Sequence, residues 1–225
     1  MGAANRKSPC HFDTLFTKTN VPHILEKIFF NLDYESYKKC IEVNSTWNKL
    51  LTSERYRRKA KHVFHEDIQK DEDKLVGASG EGQAEEVLKL LSSGLVDVNC
   101  DNGHSPALRI AALYGRKKVV KILIDKGADP NAADQWGQIP LRTAVTHGHE
   151  DIVQMLLERG AEPNKMNNDM WTSLHKAARW GCPDMVKVLL DGGANRHITT
   201  SDGSTPKQLA ARYWRNKVVQ LLSHY

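Results

Sequence analysis

From Gly82, steps of 33 residues land on Gly115, Gly148 and Gly181 and then on Trp214, and the same step carries Gly94 to Gly127, Gly160 and Gly193. Val87, Val120, Val153, Val186 and Val219 keep the register, as do Leu90, Leu123, Leu156, Leu189 and Leu222. A fixed period of this length means one supersecondary unit, repeated and stacked so that each copy buries its apolar side against its neighbours. The array is expected over residues 73–225, in about four to five units.

Inside a unit, Ser105-Pro106, Ile139-Pro140, Thr172-Ser173 and Thr205-Pro206 stand where a short inner helix would begin: three of the pairs offer a Ser or Thr cap and three a proline for the first turn. The second unit reads as carrying one extra residue between Pro106 and Gly115. Small pairs such as Ala111-Ala112, Ala177-Ala178 and Ala210-Ala211 let neighbouring helices approach, and the glycine that follows ends the helix. A second helix carries the core stripe, for example Val119, Val120, Leu123 and Ile124, and stops at Lys126-Gly127.

The segments "GHSPALRIAALYGRKKVVKILIDKGADPNAAD" and "WTSLHKAARWGCPDMVKVLLDGGANRH" resemble ankyrin repeats, whose pattern is TPLH, AA, G and LL-x-x-GA-D-x-N. The first unit lacks the TPLH start, and the last has Trp214 in place of the turn glycine. The resemblance implies an α-helical solenoid with short β-hairpin fingers, used as a binding surface. By the same resemblance the concave side carries the pairs before each turn glycine: Leu113-Tyr114, Thr146-His147, Arg179-Trp180 and Arg212-Tyr213. The finger positions share that side: His104, Gln135, Trp136, Gln138, Asn168, Asp169, Trp171, Ser201, Asp202 and Ser204. Trp, Tyr and Arg dominate protein-binding hot spots. The expected protein-binding residues are therefore Tyr114, Trp136, His147, Trp171, Arg179, Trp180, Arg212 and Tyr213. The competing reading is that Trp136 and Trp171 brace the fingers while Trp180 and Tyr213 fill gaps between repeats.

Ahead of the array the rhythm shortens. Pro22 signals a helix start, and Leu25, Ile28, Phe29 and Leu32 fall on one face. Asp33 can cap a second helix carrying Tyr37, Cys40, Ile41, Val43, Trp47 and Leu50, and Ser53 a third beginning at Glu54. Three helices in about forty residues make too small a core to stand alone, so their apolar faces call for a partner or the array. The order "VPHILEKIFFNLDYESYKKCIEVNSTWNKLL" resembles an F-box, matching at Pro22, Ile24, Leu25, Ile28, Phe29, Leu32, Asp33, Val43, Trp47 and Leu50-Leu51, and departing at Val21 and Asn44. The resemblance implies docking on the Skp adaptor of a cullin ubiquitin ligase through Pro22, Ile24, Leu25, Ile28, Leu32, Val43 and Trp47. The array would then select the substrate, and the fold class is all-α: a three-helix F-box-like module followed by an ankyrin solenoid. Residues 1–19 are expected to be a disordered tail, 20–60 the F-box-like module and 61–72 a polar connecting segment.

Composition narrows the alternatives. The net charge of +5 comes from 13 basic against 10 acidic residues up to position 72 and 19 against 17 beyond it, so neither half is polarised toward nucleic acid. The basic run "ERYRRKAKH" reads as a solvated helix face before it reads as a nucleic-acid patch. Cys10, Cys40, Cys100 and Cys182 lack paired spacing, which suits free thiols in the cytoplasm or nucleus. No apolar run of 18 residues occurs, the first twenty residues lack the apolar core of a secretion signal, and Arg6 stands where myristoylation wants Ser or Thr. "GASGEGQ" lacks the Lys-Ser/Thr of a phosphate loop, and His147-x-His149 or His62-x-x-His65 has no cysteine pair to complete a metal site. No cofactor, metal or catalytic residue is expected.

Overall fold

The computed structural model describes residues 29–43, 51, 53–101, 103 and 105–225, excepting the side chains of Val43 and Arg55. The expected tail and the expected docking positions Pro22, Ile24, Leu25, Ile28 and Trp47 lie outside the described residues, as does His104. Within them are twelve helices and no strand. The chain divides into two compact units, Met1–Phe64 and His65–Tyr225.

The first unit holds α1 (Tyr34–Val43) and α2 (Glu54–Val63). Asp33 caps α1 as expected: its carboxylate accepts the Ser36 amide and the Ser36 hydroxyl, both at 2.9 Å. Those bonds hold the Asp33 carboxyl below its ordinary range. Ser53 precedes α2 without a side-chain bond to the helix. Phe29, Tyr37, Ile41, Leu51, Tyr56 and Phe64 are buried, with the Tyr37 and Phe64 rings 5.2 Å apart and Phe30 stacked on Tyr37 at 5.9 Å. Leu32 is partly buried.

The second unit is five helical pairs. Inner helices are α3 (His65–Glu81), α5 (Ala107–Leu113), α7 (Pro140–Thr146), α9 (Ser173–Trp180) and α11 (Pro206–Arg212). Outer helices are α4 (Ala84–Ser92), α6 (Lys117–Asp125), α8 (Glu150–Glu158), α10 (Pro183–Asp191) and α12 (Asn216–His224). Each inner helix packs on the next. The repeating outer-helix residues Val87, Val120, Val153 and Val186, with Leu123, Leu156 and Leu189, are fully buried, and the small pairs seat the inner helices between them. "GASGEGQ" is the end of α3 and its turn, with Gly82 at φ 86° in the left-handed conformation that glycine tolerates.

Four expectations are altered. Residues 61–72, read as a polar connecting segment, are helical on either side of Phe64, in the end of α2 and the first half of α3, and the boundary of the two units falls within them; Ile68, Asp71, Leu75 and Ser79 of α3 form a buried stripe at helical spacing. The second unit has no extra residue. Pro106, Ile139, Thr172 and Thr205 are the N-caps, 33 apart, so Pro106 sits one place earlier than Pro140 and Pro206. Only Thr172 and Thr205 cap through their side chains, in capping boxes completed by His175 and Gln208.

The fingers form no β-hairpins among the described residues; the nearest approach is an isolated bridge from Asp101 to Pro106. The fingers at 134–138, 167–171 and 200–204 are each closed by one backbone bond, from the amide of the first residue to the carbonyl of the last, and in the first two the side chain of the first residue adds to it. The Asp134 carboxylate accepts the amides of Trp136 at 2.9 Å and Gln138 at 2.8 Å, and Asn167 holds those of Asp169 and Trp171 in the same way.

Cross-repeat bonds fix the stacking. Three residues that follow a turn position reach back 36 places: Arg116 donates to the Gly80 carbonyl at 2.8 Å, His149 bonds that of Leu113 at 3.1 Å, and Arg215, after Trp214, donates to that of Arg179 at 3.1 Å. At the loop ends Asn99, Asn131 and Asn164 accept the amides of Asp129, Glu162 and Asn195, each at 2.7 Å.

Candidate protein-binding surface

The inner helices end on a stripe that is open to solvent. Tyr114, His147, Trp180 and Tyr213, each just before a turn, are exposed, and so is Arg179 beside Trp180. Trp136 projects from its finger with 56 % of its surface exposed, and Trp180 with 54 %, so each leaves more than half of its surface open. Trp171 is half-buried.

Three of the expected residues meet directly. The Arg179 guanidinium lies 5.0 Å from the Tyr213 ring centre and 5.7 Å from that of Trp171, while the Lys176 ammonium lies 5.0 Å from Trp171. Cations over ring faces are held by the ring quadrupole without losing their charge. Arg212 is engaged elsewhere: it forms an ion pair with Asp202 at 3.2 Å and donates to the Ser204 hydroxyl at 3.1 Å, tying α11 to its finger. Asp202, bonded by Thr200 and Arg212, is held well below the usual carboxylate range. Of the other finger positions, Gln135, Asn168, Asp169 and Ser201 are exposed, Gln138 is half-buried and Ser204 is buried.

The histidines spend ring nitrogens on backbone. His147 bonds the Thr143 carbonyl at 2.9 Å and His149 that of Leu113, with the two rings stacked at 6.4 Å. No group of three metal-ligating side chains occurs among the described residues.

Behind the stripe lies a feature that the sequence reading missed. Arg142 is fully buried in α7, where it donates to the Gln138 side chain at 2.9 Å, to the carbonyls of Lys165 and Trp171 at 3.2 and 3.3 Å, and to that of Gly137. Burial lowers its pKa to about 10 against the opposing pull of Asp134, so it stays cationic at neutral pH. One turn-register earlier, Arg109 pairs with Asp134 at 3.3 Å. Residues 109, 142, 175 and 208 share one register, the last letter of TPLH. The available signal was a charged residue on an otherwise apolar helix face.

A family model described as ankyrin repeats, in three copies, matches residues 75–167 and 159–225. The chain belongs to the ankyrin-repeat family. Ankyrin repeats imply protein–protein interaction. The chain is similar to an ankyrin repeat-containing protein of Schizosaccharomyces pombe, 41% identical over 64 residues, which are 28% of this chain and 30% of that protein. It is also similar to serine/threonine-protein kinase 12 of Arabidopsis thaliana, 37% identical over 68 residues, or 30% of this chain and 15% of the kinase. The chain thus covers less than a third of either relative's length. The family match begins at residue 75, beyond the F-box-like segment. No described helix is long and apolar enough to cross a membrane.

Proposed function

We propose that this chain is the substrate-recognition adaptor of an SCF-type ubiquitin ligase, with the F-box-like segment docking on the Skp adaptor and the ankyrin stripe holding the substrate protein. The observation that carries the substrate half is the open row of Tyr114, His147, Trp180 and Tyr213, with Arg179 held between rings. The ligase half is supported by the F-box-like residue order and by the separate compactness of Met1–Phe64, whose aromatic cluster is distinct from the array core. In this reading the chain carries no catalytic residue: it raises the concentration of substrate near a charged enzyme. It works in the cytoplasm or the nucleus.

A second reading, a non-ligase ankyrin scaffold or inhibitor, is favoured by the confinement of the family match to the repeats. Co-purification of the full chain with the Skp adaptor separates the two. Ile28→Lys and Leu25→Asp are each expected to abolish it while partners of the stripe remain bound. Retention of the Skp adaptor by both variants, or its absence from the wild type, leaves the scaffold reading standing.

A further inference from the structure

Trp214 occupies the turn position that is glycine in the four preceding units, with φ at 55° in the left-handed region. For a residue with a Cβ this conformation is strained. Its side chain returns no packing, being 84 % exposed. Trp214 adjoins Tyr213, which lies one repeat beyond Trp180, so three exposed aromatics end the stripe together. Beside them, Lys176 and Arg179 share the Trp171 ring, and neither has an ion pair among the described residues. Lys176, Arg179 and Trp180 stand at i, i+3 and i+4 of α9, hence on one face. Burial and the nearby Arg179 and Arg142 charges weaken the hold of Lys176 on its proton, and Asp169 opposes them only in part.

We infer that this end of the stripe binds an acidic segment of a protein partner, with a carboxylate at Lys176 and Arg179 and flanking apolar side chains on Trp180, Tyr213 and Trp214. The inference rests on the protein-binding reading of the stripe and adds the chemistry of its occupant. Aromatics beside cations also suit single-stranded nucleic acid, but a phosphate backbone needs a track of cations. Here exposed Asp169 and Asp202 stand on the neighbouring fingers, and Arg212 is already neutralised. Room is left for one or two carboxylates and not for a run of phosphates.

The test is fluorescence anisotropy of the full chain with four labelled probes: a dodecapeptide alternating Glu and Leu, its Lys/Leu and Ser/Leu counterparts, and a dodecamer of uridylate. The acidic peptide should bind saturably and most tightly. Arg179→Gln combined with Lys176→Gln should weaken it at least tenfold, on the order of a hot-spot loss. Trp214→Gly should also weaken it, yet raise the thermal midpoint, because glycine relieves the strained turn. Tighter binding of the uridylate, indifference of the acidic peptide to the double variant, or a lowered midpoint for Trp214→Gly would each overturn the inference. Preference for the Ser/Leu or Lys/Leu peptide overturns the acidic occupant and leaves the docking stripe intact. Binding of none of the four removes both.

Discussion

Arg142 shows how much one buried side chain can organise. Its guanidinium spans from its own finger to carbonyls of the next, so the charge is paid for by hydrogen bonds more than by the Asp134 carboxylate. Arg142→Met keeps the volume and takes the guanidinium away from those carbonyls, of which that of Trp171 keeps only the Asn167 amide. The expected cost is about 3 kcal/mol, read as a lower urea midpoint at unchanged slope. In the same register His175 is buried, its Nδ1 accepting the Thr172 amide at 3.1 Å, which fixes the neutral ring. Burial holds its pKa below the ordinary 6.5, so from 6.5 downward the unfolded chain binds a proton that the folded chain refuses. Stability is therefore lost as the pH falls below 6.5. His175→Gln places there the residue that already completes the capping box at Gln208. The variant should lose less of its melting temperature than the wild type between pH 7 and pH 5.5; equal losses would show that His175 protonates freely in the fold.

At the scale of the element, three of the turns are tied to the preceding repeat by a long side chain that lies against a turn glycine, Arg116 at Gly82 being the first. His149 crowds the Gly115 turn and Arg215 the Gly181 turn, but nothing stands beside Gly148, because Cys182 is too short to reach it. The Thr146 carbonyl is the acceptor in that register. Cys182→Arg is expected to supply the missing rung and to stabilise the chain by about 1 kcal/mol, seen as a rise of about 2–4 °C in the melting temperature. An unchanged midpoint would mean that the rungs order the stack without strengthening it. Trp214 is the converse case: its left-handed backbone costs about 1–2 kcal/mol that glycine would not. The fingers show why an element can be placed without being correctly typed. Their positions follow from the repeat, but with Asp134 or Asn167 closing the turn in place of a second strand, no ladder forms.

Over the whole molecule, stability in a solenoid is a sum of units and the interfaces between them. α3 is the terminal inner helix and starts at His65, so a fragment beginning at residue 73 cuts it in half. That cut removes Glu72, whose carboxylate accepts the Asp97 amide at 3.3 Å and whose carbonyl lies 3.8 Å from the Cys100 thiol. Fragment 65–225 should therefore unfold at higher urea than fragment 73–225, by about 1–2 kcal/mol; coincident midpoints would show that the first half of α3 adds nothing to the array. The sequence by itself determined the period, the helix pairs, the buried Val and Leu registers and the exposed row of Tyr114, Trp180 and Tyr213, because a 33-residue repeat imposes one environment on each position. It did not reveal the continuity of α3, since a stripe containing Asp71 and Ser79 does not read as apolar, nor the phase of Pro106, since proline is accepted both at a cap and at the first turn. The stack of Arg179 between Trp171 and Tyr213 and the burial of Arg142 were decided by tertiary structure alone. Each depends on which side chains of adjacent repeats come within reach, and a one-dimensional register leaves that open.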